Sequence, residues 1–223
     1  TRRSSDLLAA KEADETERGV IVQDTAWDGY EEIPAWIMQG YGTMAMEAGE
    51  QLKEYGCERP THIFVQAGVG SLAGAVVGYY SNLYADNPPT FVVVEAEAAA
   101  CLYKGAAAGD GDIRIVDGDM ETIMAGLACG EPNTISWDIL KNHVKVFIAA
   151  PDWVAANGMR MLGAPIKGDA PVTSGESGAA PFGALAAVMT MDEYKNLRND
   201  IGLDASSKVL LFSTEGDTDP DRY

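Results

Sequence analysis

A glycine-rich corner is the part of this sequence whose residue types and spacing most directly suggest chemistry. Residues 62–78 read HIFVQAGVGSLAGAVVG, in which an apolar run at 63–65 predicts a buried strand and the small residues after Gly70 predict a helix. Backbone N–H groups at the start of a helix are unpaired and lie at the positive end of its dipole, so they favour an anion. Glycine lets a phosphate approach the backbone closely. The corner therefore predicts a site for a phosphorylated ligand.

Three interpretations of this corner remain open from the residues alone. The pattern Gly68-x-Gly70-x-x-Ala73, with Glu95 ending the next apolar run, matches a dinucleotide fingerprint whose acidic residue binds ribose about 20 residues on. A single-phosphate cradle would use the same backbone donors, with the Ser71 hydroxyl adding another. A tight strand–helix turn without any ligand is the third interpretation, since a lone glycine pattern is weak evidence.

Composition and charge restrict the class of partner. The chain has 223 residues, is 47% hydrophobic and 22% charged, and carries a formal net charge of −18. Such a negative field repels nucleic acid and anionic membrane surfaces, so neither is an expected partner. An anion site must then be built from local backbone donors. Because the sequence shows no long apolar run and no signal-peptide pattern, we expect a cytoplasmic protein.

Cysteine and histidine are too sparse for a metal site. The three cysteines, Cys57, Cys101 and Cys129, form no C-x-x-C pair, and only His62 and His143 could add imidazole ligands. We therefore expect no bound metal. An odd number of cysteines in a cytoplasmic protein predicts reduced and mostly buried thiols.

The elements that would position these residues alternate between strands and helices. Short apolar runs predict strands at 20–22, 63–65, 91–94, 113–116, 144–149 and 209–212. Helical patterns occupy 33–55, 71–84, 97–104, 122–128, 137–142, 152–161 and 183–191, with Asp152 as a cap, and residues 1–18 suit a solvated helix or a frayed end. Strands without polar alternation, flanked by helices, predict an α/β fold with an open, mostly parallel twisted sheet and helices on both faces.

Four polar loops follow predicted strands or lie close to strand ends, namely 24–30, 66–70, 174–178 and 213–217. In an open α/β sheet, ligands bind outside the carboxyl ends of the strands, so these loops are expected to meet at one crevice. Each loop also has a purely structural interpretation. Asp24 suits a turn or a helix cap, Glu176 a solvated loop tip, and Thr214 a strand-end hydroxyl bonded to nearby backbone.

Taken together and in order, six motifs resemble diaminopropionate ammonia-lyase, a family of pyridoxal 5′-phosphate (PLP) enzymes with the tryptophan-synthase-β, or fold-type II, architecture. The motifs are DTAWDGY at 24–30, IPAWIMQGY at 33–41, QAGVG at 66–70, GDMETIMAGLACGEPN at 118–133, SGESG at 174–178 and STEGDTD at 213–219. The resemblance covers residues 20–219, which is nearly the whole chain.

The resemblance implies a role for each candidate residue. Asp24 corresponds to an active-site carboxylate that holds an amino group or moves a proton. Thr214 corresponds to a neutral hydroxyl facing the pyridine nitrogen, and Glu176 borders the ring. The phosphate of PLP would bind at Gly68, Val69, Gly70, Ser71 and Leu72. The implied reaction is α,β-elimination of the amino-acid substrate 2,3-diaminopropionate to pyruvate and two ammonia molecules, by a homodimer acting in amino-acid catabolism.

One departure from the family concerns the lysine that binds the cofactor covalently. None of the eight lysines lies in the expected Ser-Phe-Lys context, and the asparagine expected beside the ring hydroxyl is also missing. We interpret the chain as the C-terminal portion of such an enzyme, with residues 1–23 as the tail end of a small domain and 24–223 as an incomplete large PLP-binding domain. Alone, it is expected to be inactive.

Two other functions remain as alternatives. One is another fold-type II lyase, such as a serine/threonine dehydratase, and the other is a non-catalytic nucleotide-binding module that uses Glu95. Cys101 opens a predicted helix and Cys129 lies in the 118–133 motif, so the two could approach at the mouth of the site. Thiols are nevertheless expected there, because the cytoplasm is reducing.

Overall fold

Four parallel strands form the centre of the fold. The computed structural model describes the backbone of residues 2–218 and the side chains from Leu8 to Thr218, so the last residue of the STEGDTD motif, Asp219, lies outside the described residues. The strands are β1 (His62–Gln66), β2 (Thr90–Ala96), β3 (Val144–Ala150) and β4 (Val209–Leu211). The helices are α1 (Arg2–Glu15), α2 (Glu32–Glu54), α3 (Ser71–Leu83), α4 (Cys101–Ala108), α5 (Thr134–His143), α6 (Asp152–Gly163), α7 (Glu176–Thr190) and α8 (Lys195–Asp200).

The sheet has the order β3-β2-β1-β4, and every strand pair in it is parallel. Central strand β1 pairs with β2 from His62 opposite Thr90, and with β4 from His62 opposite Val209. All five residues of β1 are buried. A parallel sheet needs helical crossovers on its faces, and apolar residues on both faces of its strands are the consequence. The α/β fold predicted from these runs is confirmed.

The two sides of β1 belong to different apolar clusters. Ile63 and Val65 pack with Tyr80 of α3 and Leu140 of α5 on one face. Phe64 points to the opposite face and packs in the cluster to which α6 and α7 contribute. Because side chains alternate along a strand, three consecutive residues supply both cores. The carboxyl ends of β1 and β4 are thereby fixed side by side, and the glycine corner and Thr214 follow directly from them.

Two of the predicted strands are wrong. Residues 20–22 and 113–116 form no strand and lie outside the sheet. The first segment is held by the Tyr30 hydroxyl, which donates to the carbonyl of Ile21 (2.9 Å) and accepts from the N–H of Gln23 (3.1 Å). The second is fixed by one backbone bond, from the N–H of Val116 to the carbonyl of Gly130 (2.8 Å). An extended backbone becomes a strand only where a neighbouring ladder pairs with it.

The segment between α4 and α5 and the start of α6 also differ from the prediction. Residues 122–128 form only one 3₁₀ turn, at Ala125–Leu127. Asp152 does not cap α6, because Pro151 occupies the capping position. The carboxylate of Asp152 instead accepts hydrogen bonds from the Thr122 hydroxyl and from the N–H of Ile123 (3.3 Å). Asp152 thus ties the 118–133 segment to the end of β3.

Candidate active site

The glycine corner joins β1 to α3 with its backbone donors unpaired. Gly70 has φ +102° and ψ −3°, a left-handed conformation that glycine adopts at little cost. A Cβ atom at Gly70 would lie 2.8 Å from the Ser136 hydroxyl oxygen. Within the described residues, the N–H groups of 68–72 have no hydrogen-bond acceptor, and the N–H of Gly74 makes the first bond back into the corner, to Gly70 (2.7 Å). These donors can therefore serve an anion.

The hydroxyl of Ser71 has a different role from the one predicted for it. It donates to the backbone carbonyl of Asp24 (2.7 Å) and accepts from the side-chain amide of Asn133 (2.9 Å). Its proton is thus already used within the chain, and Ser71 offers an anion only its backbone N–H. This arrangement could not be predicted from sequence, because its three members are far apart in the chain.

Asn133 connects three parts of the site. Its side-chain oxygen accepts from the N–H of Ser136 (2.9 Å) and caps α5, while its own N–H donates to the carbonyl of Val69 (2.8 Å). Its side-chain amide also donates to the carbonyl of Asp24. Since Asn133 is fully buried, these bonds are shielded from water. The Asp24 loop, the glycine corner and α5 are therefore held together.

A cavity of about 300 Å³ opens beside the corner. It brings together every predicted site residue except Glu176. Its lining consists of Asp24, Tyr41, Gln66, Ala67, Gly68, Val69, Gly70, Ser71, Leu72, Gly126, Leu127, Cys129, Ser177, Thr214 and Glu215. Each of the four polar loops, at 24–30, 66–70, 174–178 and 213–217, contributes at least one residue to this lining, as predicted.

Glu176 lies outside this cavity. It is the first residue of α7 and lines a neighbouring depression that also contains Arg160 and Thr218. Glu215 lines both spaces. The Glu215 carboxylate accepts hydrogen bonds from the N–H groups of Ser177 (2.8 Å) and Gly178 (3.3 Å), so it occupies the position of a capping group at the start of α7. Of these two glutamates, Glu215 lines the cavity beside the corner, and the site role predicted for Glu176 stays a prediction.

Thr214 is linked to the end of β1 through Gln66. The side-chain amide nitrogen of Gln66 lies 2.9 Å from the carbonyl oxygen of Phe212 and 3.0 Å from the Thr214 hydroxyl oxygen. Gln66 is only 3% exposed, and its side-chain oxygen has no hydrogen-bond partner within the described residues. A buried acceptor without a donor costs about 1–3 kcal/mol. An unpaired acceptor in the wall of a cavity is typical of a ligand site.

Tyr41 of α2 brings a phenol into the same cavity. Burial, and then the negative charge of Asp24, raise the pKa of the Tyr41 phenol above its ordinary value. Tyr41 therefore keeps its proton at neutral pH and can act as a hydrogen-bond donor beside the carboxylate. Tyr41 ends one of the family motifs, but no role was predicted for it.

Cys101 and Cys129 are both thiols, as predicted. The Cys101 thiol donates to the carbonyl of Cys129, with sulfur and oxygen 3.5 Å apart. Burial, and then the charge of Glu95, raise the pKa of the Cys101 thiol. Cys101 is therefore a poor nucleophile, since the thiolate is the reactive form.

Glu95 shows that the dinucleotide interpretation is wrong. Its side chain is 1% exposed, and its two carboxyl oxygens accept from the N–H groups of Leu102 (2.8 Å) and Tyr103 (2.7 Å) in the first turn of α4. Burial raises the pKa of Glu95 to about 8, although those two hydrogen bonds act in the opposite direction. A carboxyl group enclosed in this way cannot reach a ribose.

The described part of the chain lacks three features, namely a lysine in the cavity lining, a metal-binding cluster and a membrane-spanning helix. No lysine lines the cavity beside the corner. Among residues 2–218, no cluster of His, Cys, Asp and Glu side chains is arranged to hold a metal ion. None of the described helices has the length and apolar character needed to cross a membrane.

The fold and this site together indicate a class of α/β protein that binds a phosphorylated ligand. The glycine corner lies at the end of central strand β1, and the Thr214 hydroxyl follows the neighbouring strand β4 and lines the same cavity. Helices cover both faces of the sheet. The sequence profile of the family described as "Pyridoxal-phosphate dependent enzyme" matches residues 3–203. The chain belongs to this family.

Individual proteins and solved structures show which members of the family this chain is similar to. The diaminopropionate ammonia-lyase of Salmonella typhimurium is 55% identical over 210 residues, which are 94% of this chain and 52% of that protein. The selenomethionine holo structure of the Escherichia coli diaminopropionate ammonia-lyase superposes with a TM-score of 0.90 at 44% identity, over 99% of this chain and 54% of that one. Maize serine racemase shares the fold alone, with a TM-score of 0.64 at 22% identity, over 83% of this chain and 50% of that one. The chain spans about half the length of the curated relatives it matches.

Proposed function

We propose that this chain carries the PLP-binding site of a diaminopropionate ammonia-lyase, which converts 2,3-diaminopropionate to pyruvate and two ammonia molecules. The observation that supports this most strongly is the set of unpaired N–H groups at 68–72, which line one cavity together with Asp24 and Thr214. The identity to enzymes of that name supports the substrate.

The residues present fit the phosphate of PLP. Neither lysine nor arginine lines the cavity in the described residues, and the chain carries a net charge of −18. Backbone donors and the positive end of the α3 dipole supply the attraction that side chains do not. Because a Cβ at Gly70 would contact the buried Ser136, the cradle depends on a residue without a side chain.

The side chains around the cradle have separable roles. When bound, PLP supplies an electron sink for the charge that develops at the substrate Cα. Thr214 offers a neutral hydroxyl to the ring nitrogen. Asp24 can hold the amino group of the substrate or move a proton to the leaving amine, which is a poor leaving group when neutral. Tyr41 remains protonated beside Asp24 and can orient its carboxylate through a hydrogen bond.

The lysine that this chemistry requires must come from outside the cavity lining. Covalent attachment of PLP to the protein needs the side-chain amine of a lysine in contact with the cofactor, and such an amine can also remove the Cα proton of the substrate. No lysine of the described lining provides this amine. We therefore propose that this chain alone binds PLP weakly and does not turn over the substrate.

Two measurements test the proposal. First, the purified chain is titrated with PLP and followed by cofactor absorbance and fluorescence, and saturable binding is expected. Second, the chain with PLP and 2,3-diaminopropionate is assayed for pyruvate, and release is expected to equal that of a PLP-only control. Enzyme-level turnover would show that one of the eight lysines of this chain serves the reaction.

A chimera tests the substrate. The segment of the Salmonella relative that the match leaves uncovered is joined to this chain, with the intact Salmonella enzyme as the control. We expect ammonia and pyruvate from 2,3-diaminopropionate, and loss of turnover by about 10²-fold or more when Asp24→Asn is introduced. Asp28→Asn, in the same loop but exposed, is the matched variant and should retain turnover. Faster turnover of serine or threonine than of 2,3-diaminopropionate would favour the dehydratase alternative instead.

The assembly, location and domain division are proposed on the resemblance alone. We infer a cytoplasmic homodimer acting in amino-acid catabolism, with residues 1–23 belonging to the small domain and 24–223 to the large PLP-binding domain. Thiols at Cys101 and Cys129 are consistent with a reducing compartment. Sedimentation of the chimera would give its oligomeric state directly.

A further inference from the structure

Gln66 is a buried amide whose contacts determine where a neighbouring proton points. It ends β1, while Phe212 and Thr214 follow β4, the strand beside it. Its side-chain nitrogen lies within hydrogen-bond distance of both the Phe212 carbonyl (2.9 Å) and the Thr214 hydroxyl (3.0 Å). No other described element contributes a hydrogen bond to this nitrogen.

The Phe212 carbonyl determines which way the Gln66 amide faces. A carbonyl oxygen only accepts hydrogen bonds, so the group 2.9 Å from it must be the NH₂ and not the oxygen. The reverse orientation would place two oxygens in contact and leave Phe212 without a donor. The NH₂ group therefore also faces Thr214, and because it carries only donors, the Thr214 hydroxyl oxygen must accept.

A hydroxyl that accepts from one side still has its own proton to donate. The Thr214 hydroxyl makes no second hydrogen bond within the described residues, and Thr214 lines the cavity beside the glycine corner. Its proton is therefore available to an acceptor bound there. The proposed function places the pyridine nitrogen of PLP at this hydroxyl, and a pyridine nitrogen that receives a proton donor is unprotonated.

We infer that Gln66 is a positioning residue, which turns the Thr214 hydroxyl into an obligate donor toward the pyridine nitrogen of the cofactor and so keeps that nitrogen unprotonated. This inference rests on the proposed PLP site. It adds a residue of the cavity lining that acts on the ring nitrogen through Thr214. An unprotonated ring nitrogen withdraws less charge, which favours elimination with early departure of the β-amine over accumulation of negative charge on the ring.

The test compares PLP with its 1-deaza analogue, in which a C–H group replaces the ring nitrogen at nearly the same size. The unaltered chain should bind PLP about 3- to 10-fold more tightly than the analogue, the usual range for one net hydrogen bond. Gln66→Met conserves side-chain volume but removes both donors. In this variant the affinity for PLP should exceed that for the analogue by less than about twofold, because the Thr214 hydroxyl is free to rotate away from the ring.

Thr214→Val provides the other side of a double-mutant cycle. It removes the hydroxyl at nearly constant shape, so its ratio of affinities should be close to one. Adding Gln66→Met to Thr214→Val should then change the ratio no further. A variant with Gln66→Met alone that discriminates as well as the unaltered chain would overturn the inference.

A measurement on the unaltered chain covers the case in which Gln66→Met does not fold. PLP labelled with nitrogen-15 in the ring is bound, and the nitrogen shift is followed as the pH is varied. We expect the shift of an unprotonated, hydrogen-bonded pyridine throughout the neutral range. A pyridinium shift at neutral pH would overturn the inference.

Two further outcomes separate this inference from the proposed function. Equal binding of PLP and the deaza analogue by the unaltered chain would overturn the role of Gln66 and leave the phosphate site standing. Failure of the unaltered chain to bind PLP at all would overturn the proposed function, and the inference with it.

Discussion

The carboxylate of Glu215 lies 2.8 Å from the backbone N–H of Ser177, although the two residues are on different elements and far apart in sequence. This bond connects the segment after β4 to the first turn of α7. It also fixes the residue next to Thr214, so the position of the Thr214 hydroxyl depends on the start of a helix on the other side of the cavity.

Removal of this cap should destabilise the chain. We expect Glu215→Ala to lower the free energy of unfolding by about 1–2 kcal/mol, the usual cost of a lost N-terminal cap. Glu176→Ala is the matched control, because Glu176 lies at the same helix end without a side-chain hydrogen bond to it. Urea unfolding of both variants gives the comparison. Equal losses would show that Glu215 contributes only general charge at the helix terminus.

Gly70→Ala should weaken PLP binding by at least about tenfold. The left-handed backbone at φ +102° strains any L-residue, and the added Cβ would also contact the Ser136 hydroxyl oxygen. Gly111→Ala separates the two effects, since Gly111 has φ +86° but open space around its Cβ position. That control should lose stability by about 1 kcal/mol and retain its PLP affinity. Parallel PLP titrations with thermal unfolding distinguish a lost cradle from general strain.

Asp24→Asn should lower the pKa of the Tyr41 phenol without restoring its ordinary value. The charge of Asp24 raises this pKa, but burial is the larger cause and remains in the variant. Ultraviolet titration of phenolate formation, with Tyr41→Phe to identify the signal, measures the shift. Asp28→Asn, on the exposed side of the same loop, should leave the curve in place. A curve unmoved by Asp24→Asn would show that the two side chains do not interact.

Glu95 should make the chain less stable as the pH rises. Its pKa in the folded chain is about 8, above the ordinary value of 4.5, so between these values the folded state holds a proton that the unfolded state has lost. The contribution to stability is complete below the lower pKa and is lost as the pH rises through about 8, with a slope of at most about 1.4 kcal/mol per pH unit.

Chemical unfolding between pH 5 and pH 9 would reveal this slope, and those limits bracket the pKa of about 8. Glu95→Gln should flatten the pH dependence relative to the unaltered chain. Glu97→Gln, at an exposed position two residues further on, should not. If both variants follow the unaltered chain, Glu95 is ionised in the folded state, and the two N–H groups that it accepts from outweigh its burial.

The thiols should react at very different rates. Cys57 is partly exposed, whereas Cys101 is buried and its thiol pKa is raised. A disulfide reagent at mildly alkaline pH should modify Cys57 rapidly and Cys101 only after denaturation, as read by mass spectrometry of peptides. Modification of Cys101 at the rate of Cys57 in the native chain would show that the segment around α4 opens readily.

The sheet could be predicted from the sequence because its cause is local. The apolar runs of β1 and β2 are buried on both faces, those of β3 and β4 are largely half-buried, and such apolar runs are what a covered parallel sheet requires. The run at 113–116 has three apolar residues around Arg114 and was also predicted as a strand, but it lies outside the sheet. Ile113 and Ile115 are 38% and 42% exposed. The segment forms no strand because no neighbouring strand pairs with it.

The start of α7 could not be predicted, because its sequence is rich in residues with weak helix propensity. Packing between α6 and α7 explains why these small residues are present in the helix. A Cβ at Gly183 would lie 2.0 Å from the carbonyl of Val154, and one at Gly158 would lie 2.4 Å from the carbonyl of Ala179. Small residues here allow α6 and α7 to approach closely, and this contact outweighs propensity. The roles of Gln66, Asn133 and Glu215 were missed for a similar reason, since each acts on a residue distant in sequence.

The hydroxyl of Ser71 gives the site a thermodynamic property that no single residue shows. Ser71 is both the first residue of α3 and the group that holds the carbonyl of Asp24. A ligand that orders the corner therefore also restrains the loop that carries the acid, and any motion that releases the loop weakens the grip on the ligand. Anion affinity and placement of the carboxylate are thus coupled free energies, and by reciprocity a substrate that engages Asp24 would increase the affinity for the cofactor.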